Sequence, residues 1–147
     1  MKRFPRSLPI KKEMAVLFGI NDTVIQKAIS HVIAHVLDKE HPPKFSIKQH
    51  EADVREAALL YDFDLIFLYV NLLSYEGNGM IRFDQALKLI RELKQTHPAP
   101  IVLMSSFYPR GFATAAEQAG VEAILGAPFT LENLREQISG ALERGNN

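Results

Sequence analysis

Asp64-Leu-Ile-Phe-Leu-Tyr69-Val-Asn-Leu-Leu73 is a nearly unbroken apolar run, shorter than the roughly 20 residues of a membrane helix and without helical three-and-four spacing. It reads as a strand. A strand apolar on both faces belongs in the middle of a parallel sheet covered by helices on each side, because neither face meets water and alternation is suppressed. Chemistry in such sheets gathers beyond the carboxyl ends of the strands. Tyr69 lies near that end.

Outward from this run, strand and helix patterns alternate. Met14 to Ile20 reads as a first strand, and Asn21-Asp22-Thr23 supplies side-chain oxygens that suit the cap of a helix over Thr23 to Leu37. Val24, Ile25, Ala28, Ile29, Val32, Ile33 and Val36 make its apolar stripe. Pro42-Pro43 breaks that helix, and Lys44 to Lys48 alternates like a half-exposed edge strand. Glu51 to Tyr61 follows as a helix with Val54, Ala57, Ala58 and Tyr61 inward. Asp62-Phe63-Asp64 turns into the central strand.

On its far side, Ser74-Tyr-Glu-Gly-Asn-Gly79 reads as a loop over the carboxyl edge, without the lysine or spacing of a phosphate-binding P-loop. Phe83 to Thr96 is strongly helical, with Ala86, Leu87, Leu89, Ile90 and Leu93 apolar and Lys88, Arg91, Glu92 and Lys94 outward. Ile101 to Met104 is the next strand, and Ser105-Ser106 follows at its carboxyl end. Phe112 to Ala119 is a helix closed by Gly120, Val121 to Leu125 a fifth strand, and Thr130 caps a last helix through Leu142. This alternation with short connections predicts an α/β fold, a doubly wound five-stranded parallel sheet with helices on both faces.

The 147 residues suit one domain over 13–144, with a basic, proline-interrupted tail over 1–12 and a short tail over 145–147. Lys and Arg total 17, as do Asp and Glu, so the balance gives no electrostatic reason to expect nucleic acid or an anionic membrane as partner. The chain has no cysteine, hence no disulfide framework and no thiolate zinc site or nucleophile. The first residues lack an apolar signal-peptide core, and no stretch is apolar for long enough to span a bilayer. The expectation is a soluble, cytoplasmic protein.

His31 and His35 are one helical turn apart, a spacing that can bring two imidazoles onto one metal. The segment lacks the glutamate of a zincin helix and no third ligand is evident, so solvated surface histidines are the simpler reading and no metal or cofactor is expected.

The succession of elements resembles the response-regulator receiver (CheY-like) domains over about nine-tenths of the chain. The residues that carry the resemblance are Asp64-Leu-Ile-Phe-Leu, Pro100-Ile-Val-Leu-Met-Ser105, Ala119-Gly120 and Pro128-Phe129. It implies a flavodoxin-like sheet in the order 2-1-3-4-5. Receivers take a phosphoryl group on an aspartate ending the third strand, and the matching position is Tyr69. The acidic pair that holds magnesium matches Gly19 and Ile20, and the lysine before the proline matches Ala127; only the hydroxyl, at Ser105, remains. A second register puts Asn21-Asp22 at the acidic pair, but an Asp just before a helical run is more simply its N-cap.

Phosphoryl transfer to a carboxylate needs the acceptor, a divalent cation and a positive side chain on the phosphoryl oxygens. The resemblance is therefore to a pseudo-receiver that works without phosphorylation and without magnesium, and that is not an enzyme. The switch aromatic of the fifth strand matches Ile124, the proline four residues after the acceptor matches Leu73, and the family's cis peptide falls at Ala127-Pro128. Ser105 is either a remnant phosphate contact or a hydroxyl bonded to nearby backbone, and Tyr69 either core filler or a lining residue; the backbone and filler readings are the simpler ones. The resemblance implies a protein partner or a homodimer in two-component-type signalling, through the fourth helix, fifth strand and fifth helix, with Arg110, Thr114, Glu117, Gln118 and Glu122 on that face. The alternative is a small-ligand-binding or enzymatic domain of the same fold, for which no flavin, corrin or nucleophile motif speaks.

Overall fold

The structure, a computed structural model, describes residues 14–36, 43–70, 83–105, 109–126 and 130–145. Five strands, β1 (Ala15–Gly19), β2 (Lys44–Lys48), β3 (Leu65–Tyr69), β4 (Ile101–Ser105) and β5 (Ala123–Gly126), form one sheet in the order β2-β1-β3-β4-β5. Every neighbouring pair is parallel. The helices α1 (Thr23–Val36), α2 (Glu51–Leu60), α3 (Phe83–Thr96), α4 (Phe112–Ala119) and α5 (Leu131–Gly145) follow the strands in turn. The expected α/β architecture and its 2-1-3-4-5 order hold.

The pleat divides the strand residues between two cores. Leu17, Ile66, Leu68, Ile101 and Leu103 pack against Val54 and Ala57 of α2, Leu89 and Ile90 of α3, and Phe112 and Ala116 of α4. Val16, Phe18, Phe67, Tyr69, Val102 and Met104 pack against Ile29, Val32 and Ile33 of α1 and Leu134 and Ile138 of α5. β3 is buried along its whole length, which is why its sequence does not alternate. At about 1.5–3 kcal/mol for each large apolar side chain removed from water, this strand supplies a substantial share of the driving force.

Several sequence expectations change at element ends. β3 stops at Tyr69, Val70 turns away from it still buried, and Asn71 to Leu73 lie outside the described residues, as does the expected loop from Ser74 to Arg82. Its start is fixed by Asp64, whose backbone N–H donates to the Ala15 carbonyl at 2.7 Å while its carboxylate accepts from the Ala15 N–H at 2.8 Å. β1 and β5 are shorter than their apolar runs, β5 beginning at Ala123 rather than Val121, and β4 extends to Ser105. Tyr61 is not inward: the helix ends at Leu60, Tyr61 takes an extended conformation (φ −134°, ψ 156°), and its side chain is 64% exposed.

The cause of that ending lies 36 residues away. The His97 Nε2–H donates to the carbonyls of Ala58 at 2.8 Å and Tyr61 at 3.1 Å, satisfying the open end of α2 from inside the core. Val24 also points to solvent, at 78% exposure. It sits about 140° around α1 from the buried Ile29, at about 100° per residue. Glu92 and Lys94 are not fully outward either. Glu92 accepts from Arg55 at 2.8 Å, tying α3 to α2. The Lys94 stem lies over Gly120 and its Nζ donates to the Ala99 carbonyl at 3.0 Å.

Candidate functional site

In the strand order β1-β3-β4, the carboxyl ends of three neighbouring strands bring Gly19, Tyr69 and Ser105 to one edge of the sheet. This edge includes the point between β1 and β3 where the chain's winding reverses, the usual place for a ligand in such folds. The register is tight: Gly19 pairs with Leu68, Tyr69 with Met104, and Ser105 with Gly126. Ser105 thus lies one residue beyond the level of Tyr69, and it is fully buried.

At this edge Gly19, Ile20 and Tyr69 offer no charged side chain. Gly19 is buried and has no side chain to offer. Ile20 is 1% exposed and belongs to the same apolar core as Phe18 and Tyr69, and its N–H continues the β1–β2 ladder by donating to the Lys48 carbonyl at 2.9 Å. Tyr69 is 5% exposed. Burial raises its phenol above the ordinary value of 10.0, and the nearby Asp22 carboxylate raises it further. The phenol is held in its neutral form, suited to packing and to donating a hydrogen bond rather than to nucleophilic attack.

Asp22 is the carboxylate of the second sequence register, and its position serves both readings. Its Oδ1 accepts from the Ile25 N–H at 3.0 Å and its carbonyl accepts from the Gln26 N–H at 2.9 Å, so it starts α1 as an N-cap. It is also near enough to the sheet edge for its charge to act on Tyr69. Among the described residues, no group of three or more His, Asp or Glu side chains could hold a metal ion. Ala127, and with it the Ala127-Pro128 peptide, lies outside the described residues.

The remaining predicted positions lie on or next to α4 and β5. Ile124 is partly buried against the α2–α3–α4 core. Arg110, Thr114, Glu117 and Gln118 are exposed on and just before α4, and Glu122 is partly exposed just before β5. His97, which the sequence reading passed over, is 4% exposed and closes α2, and its ring lies 5.9 Å from that of Phe63. Nothing in the local sequence marks it beyond its place after a helix and before Pro98. Among the described residues, no helix is long and apolar enough to cross a membrane.

No family model and no curated protein matches the chain. Solved structures match it closely in fold. A response regulator from Thermotoga maritima superposes with a TM-score of 0.68 at 17% identity, covering 89% of this chain and 98% of its own. A two-component response regulator from Clostridium difficile gives 0.69 at 18% identity, covering 92% and 100%. A CheY-like receiver domain protein from Methanospirillum hungatei JF-1 gives 0.69 at 13% identity, covering 91% and 97%. At these identities the likeness establishes the receiver-type fold.

Proposed function

We propose that the chain is a pseudo-receiver, a protein-interaction module of two-component-type signalling that acts without phosphorylation. One observation carries this reading: at the edge where receivers accept a phosphoryl group, the strand ends present Gly19, the buried Ile20 and the neutral phenol of Tyr69. A dianionic donor approaching this edge would meet neither a carboxylate acceptor at Tyr69 nor the carboxylates at Gly19 and Ile20 that would hold its counter-ion. What the fold still offers is shape. The face of α4, β5 and α5, with Arg110, Thr114, Glu117 and Gln118 exposed, supports a constitutive contact with a protein partner or a second copy.

The test is intact mass after incubation with acetyl phosphate and magnesium. No mass gain is expected on the wild type, and magnesium titration calorimetry should give no specific heat. A stoichiometric gain of one phosphoryl group, removed by hydroxylamine, would mean that an acyl phosphate forms and would overturn the proposal.

A further inference from the structure

We propose that the apolar end of α2 is a docking surface for the chain's own basic N-terminal segment, residues 1–13, which lie outside the described residues. The contact is separate from the sheet edge and from the face of α4 and β5. Leu59, Leu60 and Tyr61 are 73%, 65% and 64% exposed, and three large apolar side chains in succession make a contiguous patch rather than scattered surface residues. The patch is held from beneath. His97 bonds the Ala58 and Tyr61 carbonyls, α2 ends at Leu60, and Tyr61 turns outward. At about 100° per residue, Leu59 and Leu60 continue the outer face of α2 that carries the exposed Asp53 and Glu56.

Charge decides what kind of segment fits. Arg55 engages Glu51 and Glu92, whereas Asp53, Glu56 and Asp62 are exposed and in no ion pair among the described residues. Glu56 stands one turn before Leu59 and Leu60, and Asp62 follows Tyr61, so a carboxylate lies at each end of the patch. Such a surface complements a segment that mixes apolar and basic side chains. In residues 1–12, Phe4, Leu8 and Ile10 stand among five of the chain's 17 Lys and Arg and none of its 17 Asp and Glu. The rest of the chain then has twelve basic residues against 17 acidic ones, a net charge of −5.

The path of the chain brings the two together. Because α2 links parallel strands, it ends at the amino edge of the sheet, where β1 also begins. Asp64, three residues after Tyr61, bonds both the N–H and the carbonyl of Ala15, at 2.8 Å and 2.7 Å. Thirteen residues span at most about 45 Å, and the ten residues of α2 are about 15 Å long. A tether of this length gives an effective concentration on the order of millimolar, so a weak contact suffices.

The test uses the full chain, whose lack of cysteine allows a nitroxide at one introduced site, Ser7→Cys. Paramagnetic broadening is read on the backbone amide signals of isotope-labelled protein. The signals of Glu56 to Asp62 should be at least halved relative to the reduced label. Glu56→Lys with Asp62→Lys should abolish the broadening and leave thermal unfolding unchanged, since both side chains are exposed. Adding Lys2→Glu, Arg3→Glu and Arg6→Glu to that variant exchanges the charges and should restore it. A mixture of isotope-labelled chain without nitroxide and unlabelled chain with it should show no broadening. Undiminished α2 signals in the labelled chain, broadening that persists after the carboxylates are reversed, or failure of the exchanged chain to restore it would overturn the proposal. Broadening in the mixture would assign the surface to the segment of a second copy and overturn the intramolecular contact.

Discussion

Under the proposed function, Tyr69 stands where a receiver would carry its acceptor aspartate. Changing it to aspartate should not create a phosphorylation site, because Gly19 and the buried Ile20 would still offer nothing to hold a counter-ion. Tyr69→Asp should instead destabilise the fold by several kcal/mol, since a buried aromatic is replaced by a smaller group whose charge is costly in an apolar core. Urea unfolding, read beside intact mass after acetyl phosphate, separates the two effects. Tyr69→Phe makes a different prediction. The folded phenol ionises above 10.0, so its contribution to stability is complete below that pH and is lost as pH rises through the raised value. Lys94 runs the opposite way: burial lowers it below 10.5, with Glu122 opposing, so it adds stability as pH climbs toward 10.5. The alkaline limb of the stability curve should therefore be steeper for the wild type than for Tyr69→Phe, and their difference isolates the phenol.

At the scale of the elements, ends matter more than middles. His97→Ala should cost about 2–4 kcal/mol, combining a cavity with the loss of the donor that serves the Ala58 and Tyr61 carbonyls, and thermal unfolding measures it. Gly120→Ala should cost about 1–3 kcal/mol, because Gly120 closes α4 at φ 118° and an added Cβ would come within 2.8 Å of the Lys94 stem. Strand and helix identity was legible in the sequence because burial on both faces leaves long apolar runs and burial on one face leaves a stripe. Asp64-Leu-Ile-Phe-Leu-Tyr69 and the stripe of α3 are the clearest cases. The order of the elements put Gly19, Ile20, Tyr69 and Ser105 at or next to strand ends, although the ends themselves differ from the apolar runs by one or more residues. The end of α2 was not legible, since it depends on a histidine distant in the chain, and neither was the influence of Asp22 on Tyr69, which exists only once β1 and β3 are paired.

For the whole molecule, the proposed role rests on one outer face, and that face can be altered without touching the core. Arg110→Glu combined with Glu117→Lys changes two exposed side chains and should leave circular dichroism and thermal unfolding unchanged. Partner capture or self-association, read by crosslinking and sedimentation, should be lost. Unchanged association would move the interface elsewhere on the surface.

The packing of α1 against α5 across one face of the sheet has a consequence for how the chain acquires its fold during synthesis. Helices α2, α3 and α4 all precede β5 in sequence, so the core on their side can be largely closed as soon as residues up to 126 have emerged from the ribosome. The opposite face cannot. Val16, Phe18, Phe67 and Tyr69 are covered by Ile29, Val32 and Ile33 of α1 alone until α5 supplies Leu134 and Ile138. A nascent chain paused before residue 131 would thus carry a sheet with one face only partly covered, by α1, and an exposed apolar surface on which a chaperone would act and from which misassembly would start.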